Sequence, residues 1–247
     1  MSFKDHFSAQ AEEYSKFRPR YPDELFKFLG SLVESNDTAW DSATGNGQAA
    51  IGLTPYFKNI IATDASESQI LHAEPHPKIE YRVAPAENSG LESASADLIT
   101  VATAIHWLDT DKFYTEVKRV LRKNGVLAVW LYAENSISQE VDAVTEKFSH
   151  TLVDEYWPIE NKKAWDFENS IPFPFEKIET PEFNMKLHWD LDHYLNFLYT
   201  WSSTQNYIKN NGRNPLEIIY DEFKDAWGDP GDKKEVKWKL KIKTGRV

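Results

Sequence analysis

Four groups of residues have the types and spacing to do chemistry. The first is the run Asp41-Ser42-Ala43-Thr44-Gly45-Asn46-Gly47-Gln48, where glycines permit positive φ and let a ligand approach the backbone closely. The second is a series of carboxylates at equal intervals: Asp64 lies 23 residues after Asp41, and Glu87 another 23 further on. The third is Ala104-Ile105-His106-Trp107-Leu108-Asp109, which offers one histidine as a base or hydrogen-bonding group beside an indole. The fourth is Arg18, between Phe17 and Pro19, whose guanidinium fork suits a carboxylate. The seven histidines are scattered and cysteine is absent, so neither metal-ligand spacing nor a thiolate nucleophile is present.

These residues need a scaffold that brings them together. Thr38–Trp40, Asn59–Thr63, Ile79–Val83, Leu98–Ala102 and Val126–Leu131 read as buried strands. Asp23–Leu32, Gln48–Phe57, Glu67–Ala73 and Asp111–Leu121 read as the helices among them. Strand alternating with helix predicts an α/β fold with a parallel sheet covered on both faces. In such a sheet ligands sit beyond the carboxyl ends of the strands, which is where the glycine run, Asp64, Glu87 and His106 all fall.

Gly45-x-Gly47-x-x-Ala50 satisfies a dinucleotide pattern, with Asp64 available for a ribose, so a nicotinamide oxidoreductase is one reading. Against it, the Asp41 carboxylate at the mouth of the turn repels a pyrophosphate and attracts an ammonium or sulfonium. That favours S-adenosylmethionine. The chain resembles the class I S-adenosylmethionine-dependent methyltransferases, in particular the small-molecule group of trans-aconitate methyltransferase-like proteins. Besides the motifs above, Phe17 to Pro22, Val120-Leu121-Arg122-Lys123-Asn124-Gly125, Tyr199-Thr200-Trp201-Ser202 and Val236 to Val247 carry the resemblance.

The resemblance implies a Rossmann-like, doubly wound, mostly parallel seven-stranded sheet with a late antiparallel strand and an N-terminal helical lid. It implies that Asp41, Ala43, Gly45 and Gly47 hold the methionine part of the cofactor, Asp64 the ribose, and Ala86 and Glu87 the adenine. Tyr14 and Arg18, on the lid, would close over the cofactor or meet an acceptor carboxylate. Trp107 would flank the adenine or wall the acceptor site and Trp201 would line the acceptor pocket, with core packing the plain alternative for both. His106 is the one candidate catalytic side chain, and packing against Trp107 is its alternative. S-adenosylhomocysteine would be the product. A catalytically inactive cofactor-binding homologue is the remaining alternative.

Two positions depart from the resembled pattern. Ala43 stands where the family usually has the first glycine of its turn, and Asn124 where it often has proline or another turn residue. If the φ of Ala43 is positive, the methyl group costs about 1 kcal/mol or more.

One domain over residues 1–247 is expected, with lid helices in 1–30, a cofactor-binding core in 31–133, and a helical cap plus the last strands in 134–247. Phe3, Phe7, Ala11 and Tyr14 recur at helical spacing in the lid. In the last third, Glu140–Glu155 and Leu191–Asn210 read as helical, and Lys177–Trp189 and Val236–Ile242 as strands. Lys237, Lys239, Lys241 and Lys243 alternate with apolar residues, which predicts a strand with one buried face and one solvated lysine face.

With 39 acidic against 28 basic side chains, the net charge is −11, unfavourable for nucleic acid or an anionic membrane. The longest apolar stretch, Val126 to Ala133, is far short of the roughly 20 residues of a membrane helix. The first residues lack the apolar centre of a signal peptide, so a cytoplasmic protein acting on a small molecule is expected. Oligomeric state is not legible.

Overall fold

The structure is a computed structural model that describes residues 17–247. The helix expected around Phe3–Tyr14, and Tyr14 with it, lies outside the described residues.

Five strands form a parallel block: β1 (Thr38–Ser42), β2 (Asn59–Asp64), β3 (Ile79–Val83), β4 (Ala96–Ala102) and β5 (Leu121–Ser136). β8 (Lys234–Arg246) is antiparallel to β5, and β6 (Glu176–Ile178) is antiparallel to β8. The order across the sheet is β3-β2-β1-β4-β5-β8-β6, with β7 (Asn184–Trp189) also paired to β8. Chain order reverses direction between β1 and β4. That switch opens a crevice beyond their carboxyl ends.

The single late strand expected over Lys177–Trp189 is divided into β6 and β7. Ile178 pairs with Thr244 and Asn184 with Lys239, so six steps on one side match five on the other. The extra residue is a bulge, and Pro181 in the gap has no N–H to give the ladder. The sheet therefore has eight strands, its seventh position filled by one interrupted strand.

Helices cover both faces. α1 (Asp23–Ser31), α2 (Gln48–Leu53), α3 (Glu67–Leu71) and α4 (Thr110–Val120) lie among the parallel strands, and α4 turns Phe113, Val117 and Val120 inward at helical spacing. The expected Gln48–Phe57 helix stops early, at Leu53, two residues before Pro55. The later elements are α5 (Gln139–Lys147), α6 (Ile159–Trp165), α7 (Phe167–Ser170), α8 (Leu191–Tyr199), α9 (Ser202–Asn211) and α10 (Leu216–Trp227). The expected Leu191–Asn210 helix is two helices, because Trp201 is extended (ψ 140°). α10 was not expected, although Leu216, Ile219, Phe223 and Trp227 form its buried stripe. Two buried clusters result, one on each face of the sheet, with Trp130 in one and Trp40 in the other.

The lysine row of β8 is solvated at Lys237 and Lys239 but not at Lys241 and Lys243. Lys237 and Lys239 pair with Glu235 and Glu182. Lys241 Nζ donates to the Trp165 carbonyl at 2.9 Å. Lys243 is buried: its Nζ lies over the Phe167 ring and donates to the carbonyls of Phe167, Glu168 and Ile171 at 2.8–3.0 Å. The alternation predicted a common face correctly, but its Lys241 and Lys243 end is covered by the segment from α6 to Ile171. A buried ammonium with three carbonyl partners is a staple between the last strand and this segment.

Replacing Lys243 by Ala leaves those carbonyls without their donor. Urea unfolding is expected to show a loss of about 2–3 kcal/mol, whereas Lys237→Ala, half exposed, stays within about 0.5 kcal/mol of the parent.

Candidate functional site

The site is built from the end of β1. Asp41 is completely buried and lies opposite Thr100 of β4 in the parallel register. Thr100 Oγ1 donates to Asp41 Oδ1 at 2.7 Å, and Thr44 Oγ1 donates to Oδ2. Burial pushes the Asp41 carboxyl up to about 6, against the pull of Thr44, Thr100 and the Ala50 amide; the charge of Asp64 pushes it further. Asp41 thus stands behind the turn rather than in the crevice. It orients the turn and sets its negative potential without an open oxygen.

The turn itself is left-handed at three places: Ala43 (φ 53°), Gly45 (φ 57°) and Gly47 (φ 89°). At Gly47 a side chain is also excluded sterically, since a Cβ would lie 2.2 Å from the Tyr81 hydroxyl. Ala43 does carry its methyl group at positive φ, so the strained alternative for this position is the actual one. The second departure is benign. Asn124 also has positive φ (64°), a conformation asparagine tolerates well, and its carbonyl accepts from Arg246 at 2.8 Å.

Asp64 ends β2 and is half-buried. Its Oδ2 accepts from the Gly45 amide and its Oδ1 from the Ser66 amide, each at 2.8 Å. The carboxylate expected to face a ribose clamps the turn. After β3, Ala86 is buried and Glu87 Oε1 accepts from the Asp109 amide at 2.9 Å. The same loop is anchored by Glu116 of α4, which accepts from Ser89 N and Oγ. Its bond to Arg119, then those to Ser89, pull the Glu116 carboxyl down to about 2.

Beyond β4 lies a cavity of about 390 Å³. Arg18, His106, Trp107 and Trp201, all singled out in the sequence, line it. Arg18, expected to meet the cofactor or an acceptor carboxylate, lines this cavity. Its guanidinium lies 5.4 Å from the Phe197 ring centroid and donates to the Tyr132 hydroxyl and, at 3.2 Å, to the Thr200 carbonyl. His106 is buried with its ring 4.9 Å from that of Trp107, and burial holds its pKa down at about 4. The imidazole is neutral near pH 7, and Nδ1 has no hydrogen-bond partner among the described residues. A base of such low pKa removes protons poorly, so positioning suits it better than proton abstraction.

Other lining residues went unread. Thr103 follows β4 with φ 54°, an uncommon conformation for a β-branched residue, and its hydroxyl is 2.8 Å from that of Tyr21. Tyr132, Glu134 and Asn135 come from the end of β5. Applying the rule of strand carboxyl ends to β5 as well as to β1–β4 finds these three. Trp157 and Trp165 have no local signal; only the return of the α6 segment over the sheet brings them here.

The buried Asp41 and the nearby Asp64, with the left-handed turn between β1 and α2, suit a ligand that carries positive charge. Comparison with known proteins agrees. A methyltransferase-domain family profile matches residues 40–129, from β1 into β5. A Dictyostelium discoideum protein assigned as a methyltransferase is 36% identical over 235 residues, covering 92% of this chain and 89% of its own. A structure from Anaeromyxobacter dehalogenans, assigned as a type II methyltransferase, superposes with a TM-score of 0.86 at 38% identity, covering 93% of this chain and 98% of that one. The fold alone is shared with a phosphoethanolamine N-methyltransferase of Haemonchus contortus, solved with phosphomonomethylethanolamine and S-adenosylhomocysteine. There the TM-score is 0.51 at 15% identity, over 100% of this chain and 61% of that one.

The chain belongs to the class I S-adenosylmethionine-dependent methyltransferases. S-adenosylmethionine is its cofactor, and the nicotinamide reading is set aside. Among the described residues no helix is long and apolar enough to cross a membrane.

Ala43→Gly removes a left-handed alanine worth about 1–2 kcal/mol of strain, at a cost of about 0.4–1 kcal/mol in unfolded-chain entropy. The variant is expected to be more stable than the parent by about 0.5–1 kcal/mol in urea unfolding. A lower midpoint would show that the methyl group packs favourably.

Proposed function

We propose that this enzyme methylates a small molecule, with a carboxylic acid as the favoured acceptor class, by direct in-line displacement. The observation that carries the reading is the position of the cavity. It opens at Thr103 and His106, three and six residues beyond the Thr100 that hydrogen-bonds Asp41. An acceptor there and a donor at the turn would meet across the end of β4.

When bound, S-adenosylmethionine supplies an electrophilic methyl group on a cationic sulfur. The chain's own residues bind and align. The Gly45–Gly47 backbone would receive the methionine part, with the buried charge of Asp41 behind it. Asp64 would accept from the ribose, and Ala86 and Glu87 would border the adenine. Arg18 would hold the acceptor's carboxylate, with His106, Trp107 and Trp201 as walls. A carboxylate is already nucleophilic, so no base is required, in keeping with the low pKa of His106. Alignment of two bound reactants supplies about 7–11 kcal/mol of such a barrier.

We read residues 1–247 as one working unit, since β8 completes the sheet begun by β1–β5. A cytoplasmic setting and a partnership with a metabolite rather than nucleic acid fit the acidic charge. The β8 lysines are moreover already engaged with glutamates and carbonyls.

Release of S-adenosylhomocysteine across a metabolite library is the direct test. Turnover confined to carboxylic acids, lost by at least tenfold in kcat/KM on Arg18→Met, is expected. Turnover only with amines, phenols or a macromolecule would overturn the acceptor class, and saturable cofactor binding without any turnover would support an inactive homologue.

A pH dependence follows from Asp41. Its carboxyl is raised, so its contribution to the stability of the ligand-free fold is full below pH 3.8 and is lost as pH rises through about 6. A cation at the turn favours the ionised form. Calorimetry is therefore expected to show S-adenosylmethionine binding several-fold tighter at pH 7 than at pH 5, a difference that Asp41→Asn flattens.

A further inference from the structure

One amide in the cavity wall has its orientation fixed from behind by a chain of hydrogen bonds. The chain ends on a group that can only accept. Thr145 of α5 donates its hydroxyl hydrogen to the Val141 carbonyl at 2.9 Å, one helical turn back. Its oxygen lies 2.7 Å from the hydroxyl of Tyr194 on α8, and with its one hydrogen used it can only accept there. Tyr194 is therefore the donor to Thr145. This hydroxyl is completely buried, and burial pushes its pKa up, so it keeps the hydrogen it gives. Its lone pair accepts from Asn135 Nδ2 at 2.9 Å. A reversed amide would set Oδ1 against an oxygen with no hydrogen left to offer.

Strand geometry brings this amide to the cavity. Tyr132 pairs with Leu240 and Asn135 with Trp238, three steps against two, so β5 carries one extra residue between them. Residues directly opposite share a face, and Leu240 and Trp238, two apart, share one as well. Tyr132 and Asn135 thus stand on one side although three residues separate them, and Tyr132, Asn135 and Trp238 all line the cavity. Without the bulge Asn135 would face the other way. With Nδ2 drawn back to Tyr194, Oδ1 is left for the cavity, and among the described residues none donates to it. Nor is it sealed from solvent, as the unpartnered Nδ1 of His106 is.

We propose that Asn135 Oδ1 selects methyl acceptors that bring an O–H or N–H donor to it; this rests on the function proposed above, which puts the acceptor in this cavity. An ether oxygen in the same place only accepts, and would leave Oδ1 desolvated and unpaired. The neighbouring carboxylate of the lining, Glu134, has a side chain 74% exposed and 3.3 Å from His150, so water competes for it and it discriminates less. Tyr194 and Thr145 are positioning residues: neither lines the cavity, and they act by holding the amide one way round.

The test is calorimetry on protein saturated with S-adenosylhomocysteine, with probes that differ only in the donor. These are 3- and 4-hydroxybenzoate, 3- and 4-aminobenzoate, the matching methoxybenzoates, and 2-naphthol against 2-methoxynaphthalene. The naphthalene pair carries no carboxylate, so the outcome is independent of the acceptor class. At least one hydroxyl or amino probe is expected to bind about fivefold or more tightly than its methoxy counterpart, the two arms separating O–H from N–H. Asn135→Ala brings that ratio within about twofold of unity and leaves S-adenosylhomocysteine affinity within about twofold of the parent. Thr145→Val frees the Tyr194 hydroxyl to donate to Oδ1 and reverses the amide, so the ratio falls or inverts; a lost packing contact would weaken both members of a pair alike. Methoxy probes that bind as tightly as their counterparts, or more so, overturn the proposal, as does a ratio that survives Asn135→Ala or binding by none of the probes. If Thr145→Val does not fold, the parent ratio and Asn135→Ala decide. Failure of the parent to bind S-adenosylhomocysteine would instead strike the proposed function itself.

Discussion

A buried carboxylate bonded to two threonines holds this site together. Asp41 ends a central strand, lies out of water, and accepts from Thr100 on the neighbouring strand and from Thr44 in the turn that follows. Desolvating that charge is costly, and the two hydroxyls and a backbone amide offset only part of the cost, which is why its pKa stays high. The charge of Asp64 raises it further. Strand pairing, turn geometry and ligand preference thus meet in one side chain, and the two positive-φ glycines and the strained Ala43 follow from the path the turn must take around it.

A second polar group buried far along the chain has a comparable structural weight. Lys243 reaches from the last strand to three carbonyls of the segment that closes the cavity. The glycine turn and the cavity therefore rest on opposite charges: an anion behind the turn and a cation behind the cavity wall. Each is satisfied by neutral dipoles rather than by an ion pair of matched geometry, although Glu168 stands 3.9 Å from Lys243. Such contacts fix backbone segments in place without neutralising the local field.

Much of the catalytic half was legible because it is local. The turn from Asp41 to Gly47 follows a strand and precedes a helix, and the strand-end rule gathers Asp64, Glu87 and His106 without any knowledge of packing. What the local pattern could not supply was which way each side chain is used. Asp41 and Asp64 read equally well as ligand contacts, yet both spend oxygens on the backbone and hydroxyls of the turn. Arg18 read as a contact of the cofactor or of an acceptor carboxylate, and lies in the cavity wall because the chain after Phe17 crosses near α8 and β5.

The sequence by itself determined the periodicities: alternating strands and helices, the glycine turn, the carboxylate spacing and the two-residue alternation of the last strand. Those are consequences of backbone geometry and of which side chains avoid water, both set within a few residues. Only the tertiary structure decided that the Lys243 side of β8 is covered, that Lys177–Trp189 is broken at Pro181 by a bulge, and that Trp157 and Trp165 share a cavity with Trp107 and Trp201. The reason is physical. Burial of a face depends on what returns to cover it, and the covering segment here comes from about 75 residues away in the chain. Contacts at that separation leave no mark in local spacing.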